Sequence, residues 1–108
     1  MITPLTIGIP VKNEENTISS TLLALKQALN RLDKHVQFET IVCLNGTTDN
    51  TLAVIQSPQH CALCKDLHLS VVRSRAGKLV AEQKIANVRK LKGFILYCDA
   101  DVIIDKLA

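Results

Sequence analysis

The sequence predicts an α/β protein with an open, mostly parallel sheet and the element order β-α-β-α-β-α-β. Short apolar runs alternate along the 108-residue chain with longer segments of helical periodicity. The runs are almost continuously apolar, which is typical of strands that a parallel sheet buries on both faces. Hydrophobic residues make up 47% of the chain and aromatic residues only 3%. We therefore expect an aliphatic core and exclude intrinsic disorder.

The four apolar runs predict the strands, at residues 5–9, 41–44, 69–72 and 94–98. A helix is predicted between each strand and the next, and such crossover connections are right-handed. In the common doubly wound arrangement the strand order is 3-2-1-4, so the first and fourth strands are neighbours.

The first helix is predicted over residues 14–32, where apolar side chains recur at steps of three and four and form one stripe. That stripe consists of Ile18, Leu22, Leu25, Leu29 and Leu32. Asn13 is predicted to cap the helix, and Glu14 and Glu15 suit the positive end of its dipole.

Two further helices and one irregular segment follow. The second helix is predicted from Thr48 or Asp49 to about Gln56, and the third covers about residues 77–92. One side of the third helix is apolar, with Ala81, Ile85, Val88 and Leu91. Residues 56–66, which precede the third strand, are interpreted as a surface excursion.

Length, charge and cysteine content narrow the class of protein. A chain of this size is predicted to form one domain, residues 1–108. The net charge of +3 is too small to indicate nucleic-acid binding, and no apolar run is long enough for a transmembrane segment. The first residues form neither a signal nor a transit peptide, so a cytoplasmic location is expected. Cys43 and Cys98 lie in apolar runs and are interpreted as buried, reduced thiols.

The strand order predicts where a ligand binds. Ligands of such sheets lie at the carboxyl ends of the strands, where the order reverses. Polar residues 12–15 follow the first strand, and Asp99 and Asp101 follow the fourth. Two carboxylates separated by one small residue suit Mn²⁺ or Mg²⁺, which prefer oxygen ligands. The alternative is that Asp99 caps a turn and Asp101 is solvated.

Three other nucleotide-binding classes do not fit the sequence. The residue after Gly77-Lys78 is Leu79 rather than Ser or Thr, and Val72 stands where a P-loop needs its first glycine. The first strand contains only Gly8, which excludes the dinucleotide-binding G-x-G-x-x-G. Residues 10–13 also lack the glycine-rich loop with which sugar nucleotidyltransferases usually begin.

Four motifs occur in order along the chain. They are IPVKNEE at residues 9–15, NGTTDNT at 45–51, GK at 77–78 and DAD at 99–101. Together they resemble the nucleotide-binding half of the family 2 glycosyltransferases, which have the Rossmann-like GT-A fold. Those enzymes typically have P-x-x-N-E-E after strand one, D-D-G-S-T-D-x-T after strand two, a basic G-K stretch and a D-x-D. The resemblance covers about residues 5–105.

This resemblance implies a site for a nucleotide-diphosphate sugar, most often one of uridine or guanosine. Pro10 and Glu14 would lie against the base and ribose, and Asn13 belongs to the same substrate-binding motif. Asp49 would lie on the loop that flanks the nucleotide.

The resemblance also implies roles for the charged residues of the later motifs. Lys78, with Arg75 nearby, would lie close to the diphosphate or the base. Asp99 would contact the ribose or the metal, and Asp101 would bind the Mn²⁺ or Mg²⁺ that bridges the diphosphate. A cation and basic side chains together would neutralise the charge of the leaving diphosphate.

The sequence departs from the family in two respects. Leu44 and Asn45 stand where the family usually has acidic residues, and only the amide oxygen of Asn45 can accept a hydrogen bond from the base. Family members also continue beyond the D-x-D into a part that supplies the acceptor site and the general base. We therefore expect a truncated N-terminal half of a glycosyltransferase, without catalytic residues of its own. Family members often build cell-surface polysaccharide, as in cell wall biogenesis, at the cytoplasmic face of a membrane.

Two other functions compete with this interpretation. One is a nucleotide-binding module without chemistry. The other is a zinc-stapled binding domain, in which His60, Cys61, Cys64 and His68 supply zinc ligands. Without zinc, the two cysteines would lie in a surface loop, partly buried or oxidised.

The position of the fourth strand predicts that the chain associates with a second copy of itself. It lies at the edge of the predicted sheet, although its sequence is that of a buried strand. Unpaired backbone groups and apolar edges recruit other chains. We expect self-association as a symmetric dimer that pairs this strand or buries residues 102–107.

Overall fold

The computed structural model describes residues 2–32 and 34–99. Its strands are β1 (Thr3–Val11), β2 (Val36–Asn45), β3 (Leu69–Ser74) and β4 (Phe94–Tyr97). Its helices are α1 (Ile18–Leu29), α2 (Thr51–Ile55), α3 (Cys61–Asp66) and α4 (Lys78–Val88), with a 3₁₀ turn at Pro58–His60. The predicted α/β class and the alternation of strands and helices are confirmed.

The strands form one open sheet in the order β3-β2-β1-β4, and every adjacent pair is parallel. β1 pairs with β2 along its whole length, from Thr3 to Val11, and with β4 from Leu5 to Gly8. The predicted strand order is therefore confirmed, and the order reverses between β1 and β4.

Helices cover both faces of the sheet. On one face α1, α2 and α3 pack on a buried aliphatic cluster of β1 and β2, and on the other α4 packs through Ala81 and Ile85. Successive residues of a strand point to opposite faces. In β2, Ile41 and Cys43 therefore lie toward α4, whereas Val42 lies toward α1.

Gly8 allows α4 to lie close to the centre of the sheet. A β-carbon at Gly8 would lie 2.9 Å from Cγ2 of Ile85 and 3.0 Å from Cδ1 of Tyr97. Real β-carbons do not approach other atoms so closely, so a larger residue would push α4 away from β1 and β4. The position of α4 matters because its first residue belongs to the candidate site.

The helix α1 is shorter than predicted, and its predicted cap is wrong. It begins at Ile18, and the residue at its N-cap is Thr17 rather than Asn13. Asn13 has a φ of 53°, in the left-handed region, and the carbonyl of Glu14 accepts the N–H groups of Thr17 and Ile18. Residues 14–17 thus form a turn that precedes the helix.

The apolar stripe of α1 is only partly buried. Ile18 and Leu22 are fully buried and Leu25 is nearly so, whereas Leu32 lies beyond the helix and is 38% exposed. The stripe was predicted from periodicity alone, which does not locate the residue at which the helix leaves the sheet.

The segment at residues 56–66 lies mostly at the surface, as predicted, but it is helical and one of its residues is buried. His60 is only 6% exposed. Its Nε2 atom lies 3.0 Å from the Ser19 hydroxyl of α1, and its Nδ1 atom lies 2.8 Å from the carbonyl oxygen of Val54 in α2. This ring fixes the segment to both helices.

The helix α4 ends at Val88, earlier than predicted. The N–H groups of the residues after Arg89 donate to a buried carboxylate instead of to carbonyl groups of the preceding helical turn. Oε2 of Glu39 accepts the N–H groups of Lys90 at 2.9 Å and Leu91 at 2.6 Å. Leu91, which was predicted on the apolar side of this helix, lies outside it. Glu39 thereby directs the chain from α4 into β4.

The strand β4 lies at the edge of the sheet, as predicted. Its sequence is that of a buried strand, but this prediction of burial is wrong, because most of its residues are exposed. Phe94 is 70% exposed and Leu96 is 52% exposed. Cys98, predicted to be buried, is half-buried, whereas Cys43 is fully buried. The buried clusters centre on β1 and β2, so few of the described residues cover β4.

Among residues 2–32 and 34–99, none of the helices has the length and apolar character needed to cross a bilayer.

Candidate functional site

The carboxyl ends of the four strands meet along one edge of the sheet. β1 ends at Val11, β2 at Asn45, β3 at Ser74 and β4 at Tyr97. The residues predicted for the site lie at these strand ends, in the loops that follow, or at the first position of α4. The sheet therefore brings the predicted residues to one edge, with the exception of Asp101, which lies outside the described residues.

Asn13 joins the loop after β1 to the loop after β2. Its Oδ1 atom accepts the N–H of Thr48 at 2.9 Å and the N–H of Asp49 at 3.2 Å. The left-handed backbone of Asn13 is a conformation that Asn tolerates better than most residues. Because this amide oxygen is already engaged, Asn13 holds the two loops together.

Asp49 and Thr51 complete the connection between these loops. The two oxygens of Asp49 accept the N–H of Thr51 at 2.9 Å and the N–H of Glu15 at 3.2 Å. The Thr51 hydroxyl accepts the N–H of Glu14 at 2.9 Å, and the Glu14 carboxylate accepts the Thr17 hydroxyl at 2.6 Å. We call Asn13, Glu14, Asp49 and Thr51 the loop brace.

The loop brace stabilises the charged form of Asp49. Partial burial raises the pKa of this carboxyl, but the hydrogen bonds that it accepts from Thr51 and Glu15 favour the charged form. The net effect holds the pKa of Asp49 below its ordinary value of 3.8. Asp49 is therefore a carboxylate whose two oxygens accept hydrogen bonds from backbone N–H groups of this region.

The loop after β2 also lies against the loop after β3. Gly46 has a φ of 69°, and a β-carbon there would lie 2.9 Å from Cβ of Ala76. The N–H of Gly46 donates to the carbonyl of Ser74 at 3.0 Å. Glycine is required at this position both by the backbone conformation and by the close approach of Ala76. Three of the four loops at this edge are thus joined.

A second group of predicted residues lies on the side of the sheet that α4 covers. Pro10 alternates with Gly8 and Asn45 with Cys43, so both lie on the α4 side. The Oδ1 atom of Asn45 is inaccessible to solvent and has no hydrogen-bond partner among the described residues.

The remaining members of this second group carry opposite charges. Nζ of Lys78, the first residue of α4, lies 3.4 Å from the carboxylate of Asp99, which follows β4. The two side chains are 63% and 54% exposed, so this ion pair contributes about 1 kcal/mol or less to stability. We call Pro10, Asn45, Lys78 and Asp99 the open side.

The loop between β3 and α4 adds to the positive character of the open side. Arg75 is exposed in this loop. Gly77, at the N-cap of α4, has a φ of 128°, and no side chain of the described part of the chain caps the helix. Uncapped N–H groups at the start of a helix favour an anion.

One residue of the site, Thr51, was missed by sequence reasoning. It is fully buried and bonds to both Asp49 and Glu14. The spacing of Asp49 and Thr51 is the available signal, because an Asp side chain often accepts the N–H of the residue two positions later. Sequence alone did not show that Thr51 also reaches the loop after β1.

The residues of the alternative zinc site do not form a metal site. Both ring nitrogens of His60 are engaged, Nε2 with Ser19 and Nδ1 with Val54 and Ser57. His68 stacks edge-on against Phe38, with ring centroids 5.3 Å apart. Within residues 2–32 and 34–99, no group of three or more His, Cys, Asp or Glu side chains is arranged to hold a metal ion.

Comparison with known proteins agrees with the motifs at this edge of the sheet. The family model described as Glycosyl transferase family 2 matches residues 6–107, almost the whole chain. No curated protein matches the chain.

Proposed function

The chain belongs to glycosyl transferase family 2, and we propose that it binds a nucleotide-diphosphate sugar on the open side of the carboxyl edge. Its function is of the glycosyltransferase type, and the sugar of the bound donor would be transferred to an acceptor. The observation that carries the proposal is the exposed pair of Lys78 and Asp99, which lies where the strand order reverses.

This ion pair supplies both charges that a nucleotide-diphosphate sugar needs, a positive charge for the diphosphate and a negative charge for its cation. A diphosphate is attracted by Lys78, by Arg75 and by the uncapped start of α4. Because the pair is exposed and weak, a ligand can separate its members at little cost. Lys78 then turns to the phosphate oxygens, and Asp99 becomes available to a cation or to the ribose.

Asn45 is proposed to contact the base. Its buried Oδ1 atom is an acceptor without a partner in the described chain, and such an atom costs free energy until a donor reaches it. We propose that the Asn45 side chain turns outward when the nucleotide binds, so that an N–H group of the nucleobase supplies that donor. Pro10, on the same side of the sheet, offers an apolar surface to the base.

Asp99 also fits a divalent cation. Its carboxylate is a hard oxygen donor and is more than half exposed, which suits Mn²⁺ or Mg²⁺. We propose that Asp101 adds the second carboxylate. When bound, such an ion supplies positive charge to the diphosphate as it leaves. Lys78 and Arg75 would add to that charge.

The test is a calorimetric titration of the chain with uridine and guanosine diphosphates, with and without Mn²⁺. We expect binding that strengthens with Mn²⁺, and we expect Asp101→Ala to remove that strengthening. Asp66→Ala, an exposed aspartate in α3 that pairs with Lys26, is the matched control and leaves binding unchanged. Equal binding by Asp101→Ala with metal present would show that the metal assignment is wrong.

A nucleotide-binding module without chemistry is the competing proposal. It predicts that the diphosphate binds as tightly as the nucleotide sugar, because no part of the site would contact the sugar. A glycosyltransferase domain is expected to bind the intact donor more tightly than the diphosphate. Titration with both ligands separates the two.

We propose a single domain, a cytoplasmic location and a role in cell-surface polysaccharide synthesis at the inner face of a membrane. The single domain is expected from the length of the chain, and the role at the inner, cytoplasmic face of a membrane is expected from the family resemblance. We also propose that the exposed apolar residues of β4, Phe94 and Leu96, are buried in a symmetric dimer of this chain.

A further inference from the structure

The helix α3 carries two thiols that the candidate site does not use. Cys61 is the first residue of α3, and Cys64 follows three positions later. Residues at this spacing lie on one face of a helix. Both line a cavity of about 400 Å³ beside β3, together with Ile55 and Ser57. The two thiols therefore face the same space.

Their spacing suits a covalent bond between them. Helix geometry separates the Cα atoms of residues three apart by about 5 Å, within the range of roughly 4.4–6.8 Å found for disulfides. Because α3 contains only six residues, a bridge in its first turn would distort little structure.

The two thiols differ in accessibility, which sets an order of reaction. Cys61 is exposed, whereas Cys64 is half-buried and its Sγ atom lies 3.7 Å from the carbonyl oxygen of Ile55. Burial, together with the neighbouring Cys61, raises the pKa of the Cys64 thiol. Cys61 is therefore the thiol that meets a reagent from solution first.

Among residues 2–32 and 34–99, no third ligand competes for this pair. The ring of His60, which precedes Cys61, is held by Ser19, Ser57 and Val54. In the part of the chain that the structure describes, the pair lacks the additional His, Cys, Asp or Glu side chain that a closed metal site requires.

We propose that Cys61 and Cys64 form an oxidation site, which a low-molecular-weight disulfide converts reversibly into an intramolecular disulfide. The Cys61 thiolate attacks one sulfur of the reagent, which breaks the reagent's S–S bond and releases one thiolate. The Cys64 thiolate then attacks Sγ of Cys61 and releases the second thiolate. Each released thiolate takes up one of the two protons that the cysteines lose. The two cysteines are oxidised and the reagent is reduced to two thiols.

The test exposes the whole chain to glutathione redox buffers, quenches it with an alkylating agent under denaturing conditions and maps the peptides by mass spectrometry. The peptide that contains Cys61 and Cys64 is expected to lose two hydrogen masses and to resist alkylation. Cys43 and Cys98 remain alkylated and serve as internal controls. Added reductant restores both thiols.

Two variants test the order of reaction. Cys64→Ser is expected to stop at a mixed disulfide on Cys61. Cys61→Ser is expected to react about tenfold more slowly than the wild-type chain, because only the half-buried thiol remains.

Three results would overturn the proposal. They are a mixed disulfide as the equilibrium product of the wild-type chain, a cross-link to a second copy through Cys61, and a first reaction at Cys64. The readout on the wild-type chain does not depend on the folding of either variant.

Discussion

In the loop brace, polar side chains accept backbone N–H groups of the loops that lead to α1 and α2, whereas those of the open side remain exposed or unpaired. Asn13 accepts two backbone N–H groups of the opposite loop, and Asp49 accepts one from the opposite loop and one from Thr51. Lys78 and Asp99 form a weak pair in water. The same sequence motifs thus contain residues that build the site and residues that are available to a ligand.

The difference has a physical cause. The loops after β1 and β2 carry partly buried N–H groups that lie outside helices and strands, and such groups need acceptors. The loop brace provides them. At the start of α4 the backbone N–H groups lie at the surface, where either water or an anion can accept their hydrogen bonds. The residues that join the loops and the residues left open to a ligand are therefore different residues of one edge.

The largest effect is expected for Thr51→Val, which tests whether the loop brace stabilises the fold. The variant keeps the shape of the side chain but removes the acceptor for the Glu14 N–H. We expect a loss of about 2 kcal/mol in the free energy of unfolding, because a partly buried donor is left unpaired. Urea denaturation measures this loss.

Thr48→Val is the matched control for that experiment. Thr48 is exposed, and its hydroxyl makes only a long contact of 3.4 Å with Asn13. The control is expected to change stability by a few tenths of a kcal/mol at most. Equal losses in the two variants would remove the distinction between the loop brace and the rest of the surface.

The next effect concerns the open side, where Lys78→Ala tests binding rather than stability. We expect the variant to weaken diphosphate binding about tenfold and nucleoside binding less, since a charge-assisted contact to phosphate is lost. Lys84→Ala, an exposed lysine of the same helix, removes the same charge and should leave binding unchanged. Equal losses for diphosphate and nucleoside would instead locate Lys78 near the base.

A smaller effect is expected at β4, whose carboxyl end adjoins the open side. If a dimer buries this strand, Leu96→Lys should raise its dissociation constant about fivefold, because a half-exposed Leu gains on the order of 1 kcal/mol on burial. Leu79→Lys, at another exposed leucine, is the control. Light scattering over a concentration series measures both. A strictly monomeric wild-type chain would contradict the proposed dimer.

The smallest effect is the pH dependence that Asp49 contributes. Its pKa is lower in the folded chain than the ordinary value of 3.8. The unfolded chain therefore takes up this proton first as the pH falls, and stability is lost from about that value downward. Above this range the contribution is complete. Asp49→Asn should remove this part of the acid dependence, and unfolding measured between neutral and strongly acidic pH would detect it. An unchanged profile would mean that the loop brace does not hold the charged form.

The sequence by itself determined the architecture. Buried parallel strands require continuous apolar runs, so the strands, their order and the α/β class could be predicted from such runs and from topological rules. The motifs around Asn13, Asp49, Lys78 and Asp99 were also recognisable, because each follows a predicted strand. These are properties of local patterns, which remain visible without coordinates.

Only the tertiary structure decided what those residues do. Asn13 was predicted to cap a helix, but its backbone is left-handed and its oxygen bonds to a loop 35 residues away in sequence. His60 was predicted to lie in a surface segment, yet its buried ring joins α1 to α2. Polar side chains can satisfy a local or a distant partner with similar energy. The choice depends on which backbone groups the folded chain leaves buried, and a sequence pattern does not contain that information.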